Sequence, residues 1–175
     1  VHLETERLII RDWHPRQDAS HALDIYGDPR VTRWLGKMEP DQTIHDAQNR
    51  LQRFVYETAA DGPGIWTVVE KAIDHIIGTM LLQPLPDLNA QPTADMEIGW
   101  HFRPASWGYG YATEAARSVL TYAWEVLNLP VVYAVTLPDN RRSIQVMERL
   151  GMEPLGLTTQ YYGGRELLLY QIKAE

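Results

Sequence analysis

A chain of 175 residues that is 45% hydrophobic and 22% charged is long enough to bury a sizeable core as one α/β domain over 1–175, and too apolar for disorder. A formal net charge of −7 argues against non-specific nucleic-acid binding, which depends on Lys and Arg neutralising phosphates, and needs no explanation beyond solubility. The absence of cysteine excludes a disulfide framework, a thiolate metal site and an acyl-cysteine intermediate, and a cytoplasmic setting is the default expectation.

No apolar run approaches the roughly 18 residues of a membrane span, so no membrane partner is expected. The start, Val1-His2-Leu3-Glu4, is not a signal peptide, and the missing initiator Met is what trimming would leave. The histidines show neither His-Glu-x-x-His nor another ligand spacing, so no metal is expected.

Arg7 to Trp13 reads as a first strand, with Leu8 and Ile10 alternating against Arg7, Ile9 and Arg11. Ala19, Ala22, Leu23 and Tyr26 then line one face of a short helix, which Gly27 is placed to cap in the left-handed conformation. Pro29 can open a further turn through Leu35. Thr43-x-x-Asp46 resembles a capping box, followed at helical spacing by Ile44, Ala47, Leu51, Phe54, Val55 and Thr58. Asp61-Gly62-Pro63-Gly64 stops that helix.

Ile65 to Lys71 and His75 to Gln83 read as a hairpin turning near Asp74. Pro84 to Thr93 contains three prolines and reads as a loop, either facing substrate or merely connecting. Met96 to Phe102 alternates Met96, Ile98, Trp100 and Phe102 with Glu97, Gly99 and His101, a strand ended by Arg103-Pro104. A helix begins near Tyr109, with Ala112, Ala115, Ala116, Val119, Ala123 and Val126 on one face, and ends at Asn128-Leu129-Pro130. The apolar run Val131 to Val135 suits a buried strand parallel to its predecessor across the helical crossover. Pro138-Asp139 starts a last helix with Asp139 or Asn140 as N-cap and Gly151 at C′. Strands near Glu153 to Thr159 and Arg165 to Lys173 flank the turn Gly163-Gly164.

The segment joining the central strand to its helix has the make-up of an anion cradle. Gly108, Gly110 and Ala112 let the backbone approach closely, and the free N–H groups of a helix N-terminus favour negative charge. Walker A would require Gly-Lys-Ser/Thr, which does not occur. The dinucleotide pattern Gly-x-Gly-x-x-Gly fails at Thr113. The third reading is Gln/Arg-x-x-Gly-x-Gly/Ala, a pattern of acetyl-coenzyme A transferases, which on its own is also an ordinary Gly-rich turn.

The wider context supplies a resemblance. Thr5-Glu6-Arg7-Leu8-Ile9-Ile10-Arg11, Glu97-Ile98-Gly99-Trp100, Trp107-Gly108-Tyr109-Gly110-Tyr111-Ala112-Thr113-Glu114-Ala115, and Asn140-x-x-Ser143 followed by Leu150-Gly151-Met152 make the chain similar to the GNAT superfamily of N-acetyltransferases. It most resembles the branch that acetylates N-termini (alanine) of ribosomal proteins. That resemblance implies a mixed, mostly antiparallel central sheet with one splayed parallel strand pair and flanking helices. It implies acetyl-CoA as cosubstrate, an amine acceptor (a peptide N-terminus or a small amine) and a homodimer as a common assembly.

The resemblance also implies site roles. Coenzyme A would lie along Ile98, Gly99 and Trp100, over Trp107, Gly108, Tyr109, Gly110, Tyr111 and Ala112, and against Asn140. Glu97 occupies the position of the general base, although it also fits a polar residue on a half-exposed strand. Where many members have a Tyr acid this chain has Met147; Ser143 fits the branch as a hydrogen-bond donor or relay, or is only a helix-surface hydroxyl. A backbone N–H near Gly99 or Trp100 would be the oxyanion donor. Arg103, Arg141 and Arg142 could add charge for phosphates or simply be solvated, and Tyr161 and Tyr162 are substrate-wall candidates. The alternatives are N-acetylation of a small-molecule amine, or a non-catalytic acyl-CoA-binding module.

Overall fold

The computed structural model describes residues 1–36 and 39–174. Its strands are β1 (His2–Glu4), β2 (Leu8–Arg11), β3 (Gly64–Glu70), β4 (His75–Pro86), β5 (Pro92–Phe102), β6 (Val131–Thr136), β7 (Glu153–Thr158) and β8 (Leu167–Lys173). Its helices are α1 (Pro15–Tyr26), α2 (Pro29–Thr32), α3 (Ile44–Tyr56), α4 (Tyr111–Glu125) and α5 (Arg141–Arg149), with 3-10 turns at Pro104–Ser106 and Tyr162–Gly164. The strands form one sheet in the order β1-β2-β3-β4-β5-β6-β8-β7, antiparallel except for the β5–β6 pair. None of the described helices is long and apolar enough to cross a membrane.

Period-two alternation divides the core between the two faces of the sheet. Ile10 and Val68 pack with α4 in one cluster, whereas Ile9 and Val69 pack with α1 and α3 in the other. On α4 the small residues Ala115, Ala116 and Ala123 are fully buried with Val119, so the helix axis lies close to the sheet; Val126, expected on that face, is exposed. On α3 the capping box forms as expected, with Asp46 N donating to Thr43 Oγ1 at 3.1 Å and Thr43 N to Asp46 Oδ2 at 3.0 Å. The helix ends at Tyr56, ahead of the Asp61–Gly64 stop.

Several expectations are corrected. Gly27 is not left-handed: it sits at φ −84°. It is a glycine because a Cβ would stand 2.6 Å from Leu23 O and 3.1 Å from Asp41 O, where the following chain folds back. The 84–93 segment is mostly strand, with β4 and β5 paired out to Pro86 and Pro92 around a short turn held by Asp87. Prolines are tolerated there because β3 ends opposite Leu82, so one edge of β4 has no ladder bond to lose beyond that point. β6 alternates buried and half-buried residues instead of being buried throughout, since Val135 borders the cleft described next. β1 had no sequence signal, and α4 starts at Tyr111 with Gly110 as N-cap.

Candidate active site

β5 and β6 pair in parallel at Glu97 and Tyr133, and beyond that position the two strands separate. The opening is a cleft of about 570 Å³ bordered by Ile98, Gly99, Trp100, His101 and Phe102 of β5, by Val135 and Thr136 at the end of β6 and by Leu137 after it. A strand edge left without a partner presents N–H and C=O groups that an amide-bearing ligand can pair with. Gly99 has a packing reason too: a Cβ there would lie 3.0 Å from the Leu81 side chain.

The loop 107–110 closes one end of the cleft. Trp107 donates its indole N–H to Phe102 O at 2.8 Å, and the Arg142 guanidinium stacks 3.9 Å above its ring centroid, joining β5 to α5. Gly108 and Gly110 have φ of 85° and 80°, a region that disfavours any Cβ, and the space in front of Gly108 is open. Gly110 gives α4 no side-chain cap, and Thr113 Oγ1 in the first turn is buried without a hydrogen-bond partner. An uncapped helix start, an orphaned hydroxyl and two left-handed glycines fit a phosphate group. Tyr109 contributes backbone only: its ring is exposed and stacks on Tyr111, and its carbonyl accepts from Arg7 at 2.9 Å.

That arginine explains why the start of the chain matters to the loop. Arg7 Nε donates to Glu114 Oε2 at 2.7 Å, and Arg7 N and Thr5 Oγ1 both donate to Glu114 Oε1. Burial alone would raise the Glu114 pKa, but the bonds from Thr5 and Arg7 outweigh it and hold the carboxyl below the ordinary range. Tyr111 is fixed in turn by donating to Glu70 at 2.6 Å. The segment before β2 and the end of β3 thereby set the position of the cradle.

Glu97 is 4% exposed. Burial pushes its pKa up to about 7, while hydrogen bonds from Tyr162 and Gln83 favour the charged form. Gln83 stands directly opposite Glu97 in the β4–β5 register. Tyr162, exposed along its ring, turns its hydroxyl onto Glu97 Oε1 from the turn before β8. His101 also borders the cleft. Desolvation, with the charge of Arg50 adding to it, lowers its pKa to about 4, so the imidazole is neutral at physiological pH. Its Nδ1 lies 2.9 Å from Tyr26 Oη, which donates to Thr79.

The cleft brings together Glu97, Ile98, Gly99, Trp100, Trp107, Gly108, Gly110, Tyr111, Ala112, Asn140 and Ser143. Tyr109 lies outside its lining, as do Arg103, Arg141 and Tyr161, whereas Arg142 and Tyr162 border it. Asn140 is the N-cap of α5, its Oδ1 accepting from Ser143 N at 3.4 Å. Met147 is buried beneath them. Gln83 and His101 were missed. Cross-strand register would have found Gln83, whereas nothing in the local pattern distinguishes His101 from any strand histidine.

The acetyltransferase (GNAT) domain matches residues 7–153. The uncharacterized N-acetyltransferase YoaA of Bacillus subtilis is 31% identical over 162 residues, 91% of this chain and 86% of that protein. The FsC-acetyl coenzyme A-N(2)-transacetylase of Aspergillus fumigatus is 30% identical over 154 residues, 86% of this chain and 64% of its own. A GNAT-family acetyltransferase structure from Bacillus anthracis superposes with a TM-score of 0.80 at 23% identity, covering 99% of this chain and 98% of that one. The ribosomal-protein-S5-alanine acetyltransferase of Vibrio fischeri gives 0.69 at 21% identity, covering 99% and 96%. At those identities the two structures speak for the fold alone.

Proposed function

The chain belongs to the GNAT acetyltransferase family, and from that premise we propose that it acetylates a primary amine held in the β5–β6 cleft, the acceptor being a protein or peptide N-terminus. Acetyl-CoA, the cosubstrate of such enzymes, supplies an acetyl group already activated as a thioester. Gly108, Gly110 and Ala112, with the first turn of α4, hold its pyrophosphate, and the open edge of β5 from Ile98 to Trp100 pairs with its amide-bearing arm. Asn140 borders the same arm.

Glu97 takes the proton from the incoming ammonium, directly or through one water. A backbone N–H near Gly99 or Trp100 donates to the carbonyl oxygen of the group being transferred. Ser143 hydrogen-bonds or relays on the leaving-group side, where Met147 has no proton to give.

The observation that carries the choice of acceptor is the pKa of about 7 at buried Glu97. An α-amino group, at about 7.7–8.0, loses its proton to such a base at a cost of roughly 1 kcal/mol; a lysine, at about 10.4, would cost nearer 5 kcal/mol. A second reading, a small cationic amine, draws on Trp34, Phe54 and the exposed Glu57 at the other end of the cleft, a pairing of aromatic faces and a carboxylate that suits such a guest. Competing the acceptors decides between them. Acetyl transfer is measured with free-N-terminal peptides, N-blocked lysine peptides and small diamines. Peptides with a free N-terminus should give the highest kcat/KM; faster transfer to diamines or to blocked peptides overturns the N-terminal reading.

A further inference from the structure

Three side chains for which acetyl transfer has no use meet on the α1 side of the sheet. His21 and Asp24 lie one turn apart on α1, and so on one face of it. His75 is the first residue of β4. The two imidazoles stand edge to face with centroids 4.5 Å apart, and His75 Nε2 is 3.7 Å from Asp24 Oδ2. One donor atom from each of the three residues falls within 4.8 Å of the others. His75 Nε2 is closed to solvent yet has no hydrogen-bond partner, a condition that polar atoms in folded proteins seldom tolerate. None of the three lines the cleft.

We propose that His21, Asp24 and His75 together bind one divalent metal ion of the zinc class, with water completing its coordination. Ligand atoms about 2.0–2.2 Å from a tetrahedral ion stand roughly 3.3–3.6 Å apart, so small side-chain rotations bring the present arrangement into range. Two imidazoles and one carboxylate form a borderline donor set, suited to Zn²⁺, Ni²⁺ or Cu²⁺; Mg²⁺ and Ca²⁺ demand oxygen ligands.

The charge of Arg103 reaches His75 and opposes a metal there; its Nε donates to Ser106 Oγ at 2.8 Å. The ion would fasten α1 to the start of β4. No spacing rule could reveal such a site, because the ligands come from a helix and a distant strand. The proposal replaces the expectation of a metal-free chain.

The test titrates Zn²⁺ into metal-free protein by calorimetry and follows thermal unfolding. One equivalent should bind, and at a hundredfold excess over Kd the midpoint should rise by about 5–11 °C. His75→Gln, His21→Gln and the milder Asp24→Asn at an exposed position should each weaken binding at least tenfold. His45→Ala, an exposed histidine elsewhere on α3, should leave it unchanged. Zinc uptake indifferent to all three cluster variants, or no site tighter than about 0.1 mM in the unaltered chain, overturns the proposal.

Discussion

The hydroxyl of Tyr162 donates to the carboxylate of Glu97, so the turn entering β8 reaches across the sheet to the central strand. Because that bond favours the ionised form, Tyr162→Phe should raise the Glu97 pKa above its value of about 7. The acid limb of kcat/KM against pH should then move upward by roughly half a unit to one unit. A limb that stays in place would separate Glu97 from the titration controlling the rate.

Glu97→Gln keeps the shape and removes the proposed base. Turnover should drop by about 10²–10⁴-fold, while the Kd for acetyl-CoA changes no more than about threefold. Pre-steady-state acetyl transfer beside equilibrium binding separates the two. Equal losses in both would make Glu97 a binding residue.

The same substitution should stabilise the fold at alkaline pH. A carboxyl whose folded pKa is raised above its unfolded value of about 4.3 favours the folded state fully below that value, and the benefit is lost as pH rises toward about 7. His101 has the opposite sign: with its folded pKa lowered to about 4, its contribution is present above about 6.5 and lost on acidification. Comparing Glu97→Gln with the unaltered chain cancels the histidine. The variant should gain roughly 1–3 kcal/mol at pH 8 relative to its standing at pH 4.5, read from denaturant midpoints. A difference independent of pH would mean that Glu97 is not raised.

Gly110→Ala should cost about 1–2 kcal/mol of stability, because φ at that position is 80° and a Cβ is strained there whatever space surrounds it. The KM for acetyl-CoA should rise about tenfold as the start of α4 shifts. Gly108→Ala, at 85° in open space, should behave alike, since backbone strain is its only penalty.

Arg7→Ala tests whether the cradle is held from the segment leading into β2. Losing the bonds to Tyr109 O and Glu114 should raise the KM for acetyl-CoA about tenfold, with kcat within about threefold. Steady-state kinetics at saturating acceptor gives both numbers. A fall confined to kcat would contradict a purely positional role.

Legibility followed the range of the forces involved. The α3 capping box and the glycine cradle are local, with donors and acceptors a few residues apart, and could be read directly. Gly27 misled because its glycine is demanded by what a Cβ there would meet, Leu23 O of the preceding turn and Asp41 O from another segment, not by a left-handed dihedral. The prolines of 84–93 looked like a loop because their tolerance depends on where β3 stops. The pKa of Glu97 and the partnership of Gln83 required the β4–β5 register. The conjunction of His21, Asp24 and His75 required the whole fold.

The strand order has a consequence for the way the molecule comes into being. β1 to β5 follow one another as sequential neighbours, so that half of the sheet can zip up while the chain is still being synthesised. β6 touches β5 at Glu97 and Tyr133 and is otherwise laddered only to β8, from Val131–Lys173 to Thr136–Leu168. One wall of the cleft therefore waits for β8 to leave the ribosome, and until then β6 has one edge open and the other paired only at Tyr133. A nascent chain stalled before Leu167 would hold a finished half-sheet beside an aggregation-prone strand. Completion of the cleft and closure of that hazard are the same event.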